Sequence, residues 1–461
     1  MPSGTKEATM AFDLEQIFNR ELDRYISEWK ELLRFPSISM EAEHKDNCNR
    51  CAKWLCSHLE TIGFSSETIE TSSHPLVFAE RKGNPSSPTI LYYGHYDVQP
   101  VDPIDAWDSP PFEPELRDNR MYARGAQDNK GQIFYSIKAL ETVVSAGKCK
   151  PTIKILIEGD EEFGSKGIAD ALPELKHKLK ADLLLVTDTG TVGSGAPTII
   201  MGLRGILHMS LTLKGPRHDL HSGVHGGAAL NPAIEMCRLL SSLHDRNGRI
   251  AIKGFYDDVK EPTTEERELA NAGFDMDSFV ADLGMQPIAG EKDYTPAERI
   301  ALRPSIDVNG MCSGYTGAGI KTVIPAEASA KLSARLVPDQ DAQRCQEMII
   351  EHLRERVPEG MTLSIPERTS TGGILRIDPT SAAVARAKEV LQKISDKNVA
   401  LHWEGASIPI VCALAEASEA EPLLIGFGAQ EHNIHAPNEF FPIDRFKQGF
   451  MYVASMILSF E

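Results

Sequence analysis

Acidic and histidine side chains collect in five short segments of the sequence. Four of them come just after a short apolar run or in the loop beyond it, at residues 94–97, 159–162, 187–190 and 430–439. The fifth, residues 124–131, leads into a helical pattern. Carboxylates gathered together would repel one another and lose hydration unless a cation held them. Oxygen and nitrogen ligands of this mix suit Zn²⁺, Mn²⁺ or Co²⁺ rather than a thiolate-rich structural zinc, so the segments predict a divalent metal site.

The elements around these segments would bring them to one edge of a sheet. The apolar runs are residues 89–93, 152–157, 183–186 and 423–427, and helical patterns cover 13–33, 48–62 and 132–146. Apolar strands that alternate with helices are typical of a parallel sheet buried on both faces. Such sheets bind ligands at the carboxyl ends of their strands, where the acidic segments lie.

The middle of the chain has a different pattern. Strands with one polar face are predicted at 207–213, 328–336 and 361–366, with helices at 232–243 and 340–357 and a polar insertion at 256–297. This pattern favours an antiparallel sheet with helices on one side. We therefore expect an α/β domain with a mostly parallel sheet, residues 1–203 and 378–461, interrupted by an inserted α+β domain, residues 204–377.

Composition limits the classes of function. The 461 residues suit two domains, and the formal net charge of −18, without a local basic stripe, disfavours nucleic acid as a partner. No apolar run reaches the roughly 18 residues that a membrane helix needs, and the first residues lack a signal-peptide core. The eight scattered cysteines indicate reduced thiols, so we expect a cytoplasmic protein.

Two further patterns have simpler explanations than a second site. The glycine-rich stretch at 313–319 lacks the Gly-Lys-Ser/Thr ending of a phosphate-binding loop. Cys48, Cys51 and Cys56 with His44 resemble a small zinc cluster, but their spacing fits successive turns of one helix. Free cysteines are the better interpretation.

Five motifs, in chain order, carry a resemblance to a known family. GHYDVQP, ARGAQDNKG, EGDEEFGS, DLHSG and HAPNE resemble the M20 metallopeptidases, which include carboxypeptidase G2, aminoacylase-1 and the cytosolic dipeptidases. GLRGI, KTVIP, ARLVP and EGASIPI are similar to the branch of cytosolic nonspecific dipeptidase and carnosinase. The resemblance implies a zinc-exopeptidase-like catalytic domain and an inserted lid through which two subunits form a homodimer.

The resemblance also implies the ligands of two divalent ions, for which Zn²⁺ is preferred and Mn²⁺ or Co²⁺ are alternatives. His95 and Asp188 match ligands of one ion, Glu162 and His435 match those of the other, and Asp128 matches the carboxylate that bridges both. His432 is the alternative to His435, although the position in the motif favours His435.

Two carboxylates match roles beside the ions. Asp97 matches the residue that orients the imidazole of His95, since a ligating histidine needs its other nitrogen held. Glu161 matches the general base, which takes a proton from water and delivers it to the leaving amine.

The inserted domain would supply substrate contacts. His221 matches a histidine that polarises the scissile carbonyl, reached in relatives from the other subunit of a dimer. Arg335 matches an arginine that binds the substrate carboxylate, a pairing that suits a planar guanidinium. Further contacts match Thr322, Glu404 and Ser407, whereas Ala406 stands where relatives often have glycine. The simpler alternatives are an ordinary ion pair for Arg335 and a loop histidine without a task for His221.

We therefore expect a metal-dependent dipeptidase that cleaves unblocked dipeptides. An N-acyl amino acid deacylase or desuccinylase on the same scaffold is the nearest alternative. A catalytically silent binding protein is an alternative of another class, which the presence of Glu161 and all five predicted ligands disfavours.

Overall fold

The structure is a computed structural model that describes residues 12–192, 195–272, 274–371, 373–403 and 408–460. These residues form two compact units. Unit 1 comprises Met1–Ile199, Pro379–Val399 and Leu414–Glu461, and unit 2 comprises Ile200–Asp378 and Ala400–Ala413. No helix among the described residues is long and apolar enough to cross a membrane.

The helices and strands are numbered in chain order. The helices are α1 Leu14–Leu33, α2 Lys45–Thr61, α3 Lys130–Ser145, α4 Lys166–Leu179, α5 Ser222–His225, α6 Pro232–Ser241, α7 Thr264–Ala272, α8 Met276–Leu283, α9 Pro296–Leu302, α10 Ala342–Arg354, α11 Ala382–Ile394, α12 Pro409–Ser418 and α13 Ile443–Leu458. The strands are β1 Ser65–Ile69, β2 Leu76–Arg81, β3 Thr89–His95, β4 Glu115–Arg117, β5 Arg120–Tyr122, β6 Thr152–Glu158, β7 Leu183–Val186, β8 Thr198–Leu203, β9 Gly205–Lys214, β10 Leu220–His221, β11 Ser305–Ser313, β12 Val323–Ile324, β13 Glu327–Leu336, β14 Thr362–Thr371, β15 Leu375–Arg376, β16 Ala400–Trp403, β17 Glu421–Leu424 and β18 Phe440–Pro442.

Unit 1 is built on a sheet whose strands run in the order β1-β2-β6-β3-β7-β17. The strands from β6 to β17 are parallel, and β3 and β7 are almost wholly buried, as their apolar sequences predict. The first pairs, β1 with β2 and β2 with β6, are antiparallel. The expected α/β class is therefore confirmed, with a mixed sheet that is parallel only in its centre.

Helices cover this sheet with large aromatic side chains. Helix α13 packs against α3, and α1 contacts both of them. Trp29 of α1 is fully buried with its ring centroid 4.8 Å from that of Phe446 on α13. Helix α3 is buried along most of its length and contacts β3. It begins directly after the loop that carries Asp128, so this packing fixes the start of the helix.

Unit 2 is built on an antiparallel sheet in the order β11-β13-β9-β14. Strands β9 and β13 alternate between buried and more exposed residues, as expected for a sheet with one core face. The core side chains include Leu211, Leu332 and Ile349, the last of these on α10. Helix α6 begins at Pro232 with Asn231 capping it, and packs on the same sheet.

Candidate metal centre

His95 is the last residue of β3, and its fully buried ring lies among three aspartates. Its Nδ1 lies 3.2 Å from Asp97 Oδ1. Its Nε2 lies 3.2 Å from Asp128 Oδ1 and 3.6 Å from Asp188 Oδ1. One imidazole nitrogen therefore meets the carboxylate of Asp97, and the other faces two carboxylates that come from separate loops.

Asp128 lies between two histidines. It precedes α3, and its Oδ2 is 2.8 Å from His435 Nε2 while its Oδ1 faces His95. His435 Nε2 is in turn 3.3 Å from Glu162 Oε2. The residue that the sequence predicts as the bridge therefore contacts both of the predicted ligand histidines.

Glu161 and Glu162 lie in a 3₁₀ turn, Glu161–Phe163, that follows β6. The backbone N–H of Glu161 donates to Asp97 Oδ1 at 3.2 Å, and that of Glu162 donates to Asp97 Oδ2 at 3.1 Å. Asp97 thus contacts the ring of His95 and also anchors the turn that presents both glutamates.

The chemistry of the donors suits two divalent cations. Ligand atoms of His95, Glu161 and Asp188 lie within 4.8 Å of one another, and the same holds for Asp128, Glu162 and His435. The two groups contain four carboxylates, whose charge two divalent cations would balance. Glu162 Oε1 is buried and has no hydrogen-bond partner among the described residues, as expected for an oxygen that ligates an ion.

The pKa values reflect how the cluster holds charge and protons. Burial raises the pKa of Glu161 well above its ordinary value, and it raises the pKa of Glu162 to about 7. Burial alone would also raise the pKa of Asp128, but hydrogen bonds from His435 and His95 lower it. His435 has a pKa raised to about 10, first by its hydrogen bond to Asp128 and then by that to Glu162. The groups therefore depend on nearby positive charge, the condition that favours cation binding.

His432 differs from His435 in environment. Its ring is buried, and its Nδ1 lies 2.5 Å from Gln127 Oε1, away from both donor groups. Burial lowers the pKa of His432 to about 4, so it is neutral near pH 7. His435 instead has a left-handed backbone, with φ at 60°, and its side chain is half exposed beside the carboxylates. Of the two histidines, His435 is the one whose ring reaches the donor groups.

The predicted substrate contacts of unit 2 fall into two places. His221 is exposed on β10, whose partner β12 begins one residue after Thr322, and Ser222 N donates to Thr322 O at 3.1 Å. Arg335 lies on β13 opposite Ser305 and Ile206 and is half-buried. The two remaining predicted contacts, Glu404 and Ser407, lie outside the described residues.

Several residues that support the cluster are not among the sequence predictions. Ser39 Oγ donates to Asp97 Oδ2 at 2.6 Å, and Gln99 Nε2 donates to Glu162 Oε2 at 2.7 Å. Asn129 Nδ2 donates to Asp188 Oδ1 at 2.9 Å. Asn129 and Gln99 both stand within quoted motifs, close to a predicted ligand, whereas Ser39 is an ordinary polar residue whose role appears only when distant loops meet.

The cysteines and His44 form no cluster of their own among the described residues. All eight cysteines are free thiols, and Cys48, Cys51 and Cys56 lie on the single helix α2. His44 instead lies 3.4 Å from Glu41. These three cysteines with His44 are not among the residue groups whose ligand atoms lie together, and their interpretation as free thiols rather than metal ligands stays a prediction.

Comparison with known proteins identifies similar chains. The model of the family described as peptidase family M20/M25/M40 matches residues 91–459. A cysteinylglycine-S-conjugate dipeptidase of Corynebacterium striatum is 32% identical over 437 residues, which are 91% of each chain. A Cys-Gly metallodipeptidase of Schizosaccharomyces pombe is 27% identical over 458 residues, which are 95% of each chain. The crystal structure of an M20 family metallo-carboxypeptidase from Sulfolobus solfataricus matches with a TM-score of 0.84 and 32% identity, covering 95% of this chain and 99% of that one.

Proposed function

We propose that this chain, which belongs to peptidase family M20/M25/M40, hydrolyses the peptide bond of unblocked dipeptides with two divalent cations at the metal centre. The observation that carries the proposal is the position of Asp128 between two histidines that belong to adjoining donor groups. A shared carboxylate suits two cations about 3.5–4 Å apart, the spacing of two-metal hydrolases. The names of the two curated relatives support the dipeptide as substrate.

The cations would be held by residues of unit 1. His95 and Asp188 would bind one, Glu162 and His435 the other, and Asp128 both. When bound, the cations would supply Lewis acidity and lower the pKa of a water molecule toward neutrality. Zn²⁺ is the ion that we propose, with Mn²⁺ and Co²⁺ as alternatives, because the donors are carboxylate oxygens and imidazole nitrogens.

Glu161 would act as the general base. Its carboxylate accepts the proton of the attacking water and delivers it to the amine nitrogen of the leaving residue, so that the proton is conserved across the cycle. The anchoring of its backbone N–H by Asp97 supports this role, since a base must be held within hydrogen-bond reach of the proton that it moves.

Unit 2 would bind the carboxylate and the scissile carbonyl of the substrate. Arg335 would pair with the carboxylate of the dipeptide, and His221 with Thr322 would contact the scissile carbonyl region. The hydrogen bond between the backbones of Ser222 and Thr322 supports a joint role, because it keeps these contacts together. Glu404 and Ser407 remain proposed substrate contacts.

A homodimer through unit 2 and a cytoplasmic location complete the proposal. Strand β11 is an edge of the unit 2 sheet and exposes Val308 and Met311, which are 49% and 56% exposed. An exposed edge with apolar side chains suits pairing with another chain. The eight free thiols suit a reducing compartment.

A metallo-carboxypeptidase is a second candidate, which the similarity to the Sulfolobus solfataricus structure favours. Both activities cleave the bond next to a free C-terminal carboxylate, so the same Arg335 contact serves either. They differ in whether the residue on the other side of the bond must have a free amine.

The test is a substrate panel with enzyme that has been stripped by chelator and then given Zn²⁺ or Mn²⁺. The panel contains Cys-Gly and Ala-Gly, their N-acetylated forms, tripeptides, and N-acetyl and N-succinyl amino acids. We expect metal-restored cleavage of the unblocked dipeptides. The Glu161→Ala variant, purified in parallel, controls for contaminating peptidases.

Other results of the panel would each indicate a different function. Equal cleavage of the N-acetylated dipeptides, or release of the C-terminal residue from the tripeptides, would make it a carboxypeptidase. Cleavage of N-acyl amino acids alone would make it a deacylase. Binding of both metals without hydrolysis of any substrate would point to the catalytically silent binding protein.

A further inference from the structure

Asp128, the proposed bridging ligand, and His435 come from two loops that are far apart in the sequence. The two loops meet at Glu439. This residue is fully buried and lies 315 positions after its ion-pair partner Arg124. Its Oε2 accepts hydrogen bonds of 2.9 Å from Arg124 Nη1 and from Gly125 N. Its Oε1 accepts from Gln127 N at 2.9 Å and from Asp128 N at 3.1 Å. One carboxylate thus holds the backbone of the loop that presents Asp128.

Gln127 makes the reciprocal connection. Its side chain is buried, and its Oε1 accepts from Ala429 N at 2.9 Å and from His432 Nδ1 at 2.5 Å. A Cβ at Gly428 would lie 2.8 Å from the Gln127 side chain, so the two loops are in close contact. Each loop therefore sends one buried polar side chain into the backbone of the other.

Neither residue belongs to the donor groups, yet both connect segments that do. Asp128 and His435 meet at 2.8 Å only if the two loops keep their relative position. We propose that Glu439 and Gln127 are positioning residues that hold these loops in register and thereby set the affinity for the ion between Glu162 and His435. The inference rests on the proposed two-cation centre and adds the residues that shape its second half.

Replacing the carboxylate of Glu439 by an amide has a predictable effect on its hydrogen bonds. Glu439→Gln keeps the shape of the side chain but turns one acceptor oxygen into an NH₂ donor. That donor would face either two backbone N–H groups or the Arg124 guanidinium with Gly125 N, so one pair of hydrogen bonds is lost in either orientation. Changes in residues that support ligands lower metal affinity by about 10- to 100-fold, and we expect a loss of this size for one ion.

The experiment measures binding of Zn²⁺ to the chelator-stripped full chain by calorimetric titration. Glu439→Gln is compared with Gln127→Met, which removes only the acceptor for the second loop. The control is Glu291→Gln, because Glu291 forms a similar buried pair with Arg303 in unit 2, at 2.9 and 3.0 Å. Melting of the metal-free proteins is recorded beside each titration.

We expect both loop variants to bind the ion between Glu162 and His435 about 10- to 100-fold more weakly. The ion between His95 and Asp188 should lose less affinity, because it shares only Asp128 with the two loops. Glu291→Gln should melt earlier but bind both ions normally. Wild-type affinity for both ions in the two loop variants would overturn the inference. The inference would also fail if the loss of metal affinity in all three variants simply paralleled the loss of thermal stability. If Glu439→Gln does not fold, Gln127→Met decides. A wild type that binds two ions but cleaves no peptide refutes the proposed function and leaves this test intact.

Discussion

The carboxylate of Asp97 connects the parts of the metal centre without belonging to either donor group. It accepts hydrogen bonds from the backbone of Glu161 and Glu162 and from Ser39 Oγ, and it lies beside His95 Nδ1. If His95 Nδ1 carries the proton toward Asp97, the lone pair of Nε2 faces Asp128 and Asp188. Asp97 therefore sets both the tautomer of a ligand and the position of the glutamate turn.

Asp97→Asn should lower the affinity for divalent cations by about 10- to 100-fold. In either orientation the amide would place a donor against a backbone N–H, that of Glu161 or that of Glu162, and it would no longer stabilise the ring of His95 by charge. The measurement is a Zn²⁺ titration of stripped protein. Asp182→Asn is a matched control, because Asp182 accepts a backbone hydrogen bond from Thr89 at 2.7 Å and belongs to neither donor group. Equal affinities in both variants would contradict the role of Asp97.

Glu161→Ala should lower kcat by about 10²- to 10⁴-fold while both ions stay bound. The reason is that a general base moves a proton but need not hold a cation. The structure makes the test necessary, since a Glu161 oxygen lies within 4.8 Å of ligand atoms of His95 and Asp188. Metal content by elemental analysis decides the matter. Glu162→Ala is the comparison and should lose an ion, and loss of an ion from Glu161→Ala would make Glu161 a ligand.

The residues of the centre differ in how far sequence alone predicts them. His95, Glu162 and Asp188 follow apolar runs that become neighbouring parallel strands, so their meeting follows from sheet geometry. Glu439 was inside a quoted motif, but its task depends on a loop 311 to 315 positions away. Contacts between loops at such separation have no periodic signal that would reveal them.

At the scale of elements, strands with an apolar pattern were predicted well and polar ones were not. Strand β3 covers the predicted 89–93 and continues to His95, which is itself a strand residue. Strand β1 has the sequence SSETI, which offers no apolar run, and it pairs at the edge of the sheet. The predicted strand at 423–427 starts earlier, at Glu421, although Ile425 N still bonds Val186 O at 3.0 Å.

A buried charge cluster joins helices α1, α2 and α3. Lys138 Nζ is fully buried and pairs with Glu28, with Glu141 at 2.8 Å and with His58 Nε2 at 2.7 Å. The ring of His58 stacks on Trp54, with ring centroids 4.8 Å apart. Burial, followed by the charge of Lys138, lowers the pKa of His58 to about 4. The imidazole therefore serves the cluster as a neutral acceptor.

This cluster predicts an acid sensitivity that His58→Gln should reduce. Because the pKa of His58 is lower in the folded chain than its ordinary value of 6.5, its contribution is complete above pH 6.5 and is lost as the pH falls toward 4. The loss reaches up to about 3 kcal/mol. Glutamine offers Lys138 an oxygen acceptor and does not titrate. Between pH 7, 5.5 and 4.5 the denaturant midpoint of the metal-free wild type should therefore fall further than that of the variant. An equal fall of the midpoint with pH in both proteins would refute the proposed role of His58 in the acid sensitivity.

At the scale of the whole molecule, the proposed dimer depends on unit 2. Among the residues that the structure describes, strand β11 has a ladder partner on one side only, in β13, and is therefore an edge strand. Helix α6 contacts β11 and exposes Ile234, which is 52% exposed. An exposed strand edge and an exposed apolar residue on a helix that contacts this strand give the composition of an interface that two copies can share about a two-fold axis.

Met311→Lys should convert the dimer into monomers, because it places a charge on the exposed side chain of the edge strand. Light scattering after gel filtration measures the mass, which should halve. Met285→Lys is the matched control, since Met285 is 63% exposed and lies outside β11. If His221 reaches the substrate from the partner subunit, the monomer should also lose dipeptide turnover while its affinity for Zn²⁺ stays unchanged. A monomer with full activity would refute the action of His221 across the dimer, and a Met311→Lys dimer would move the interface away from β11.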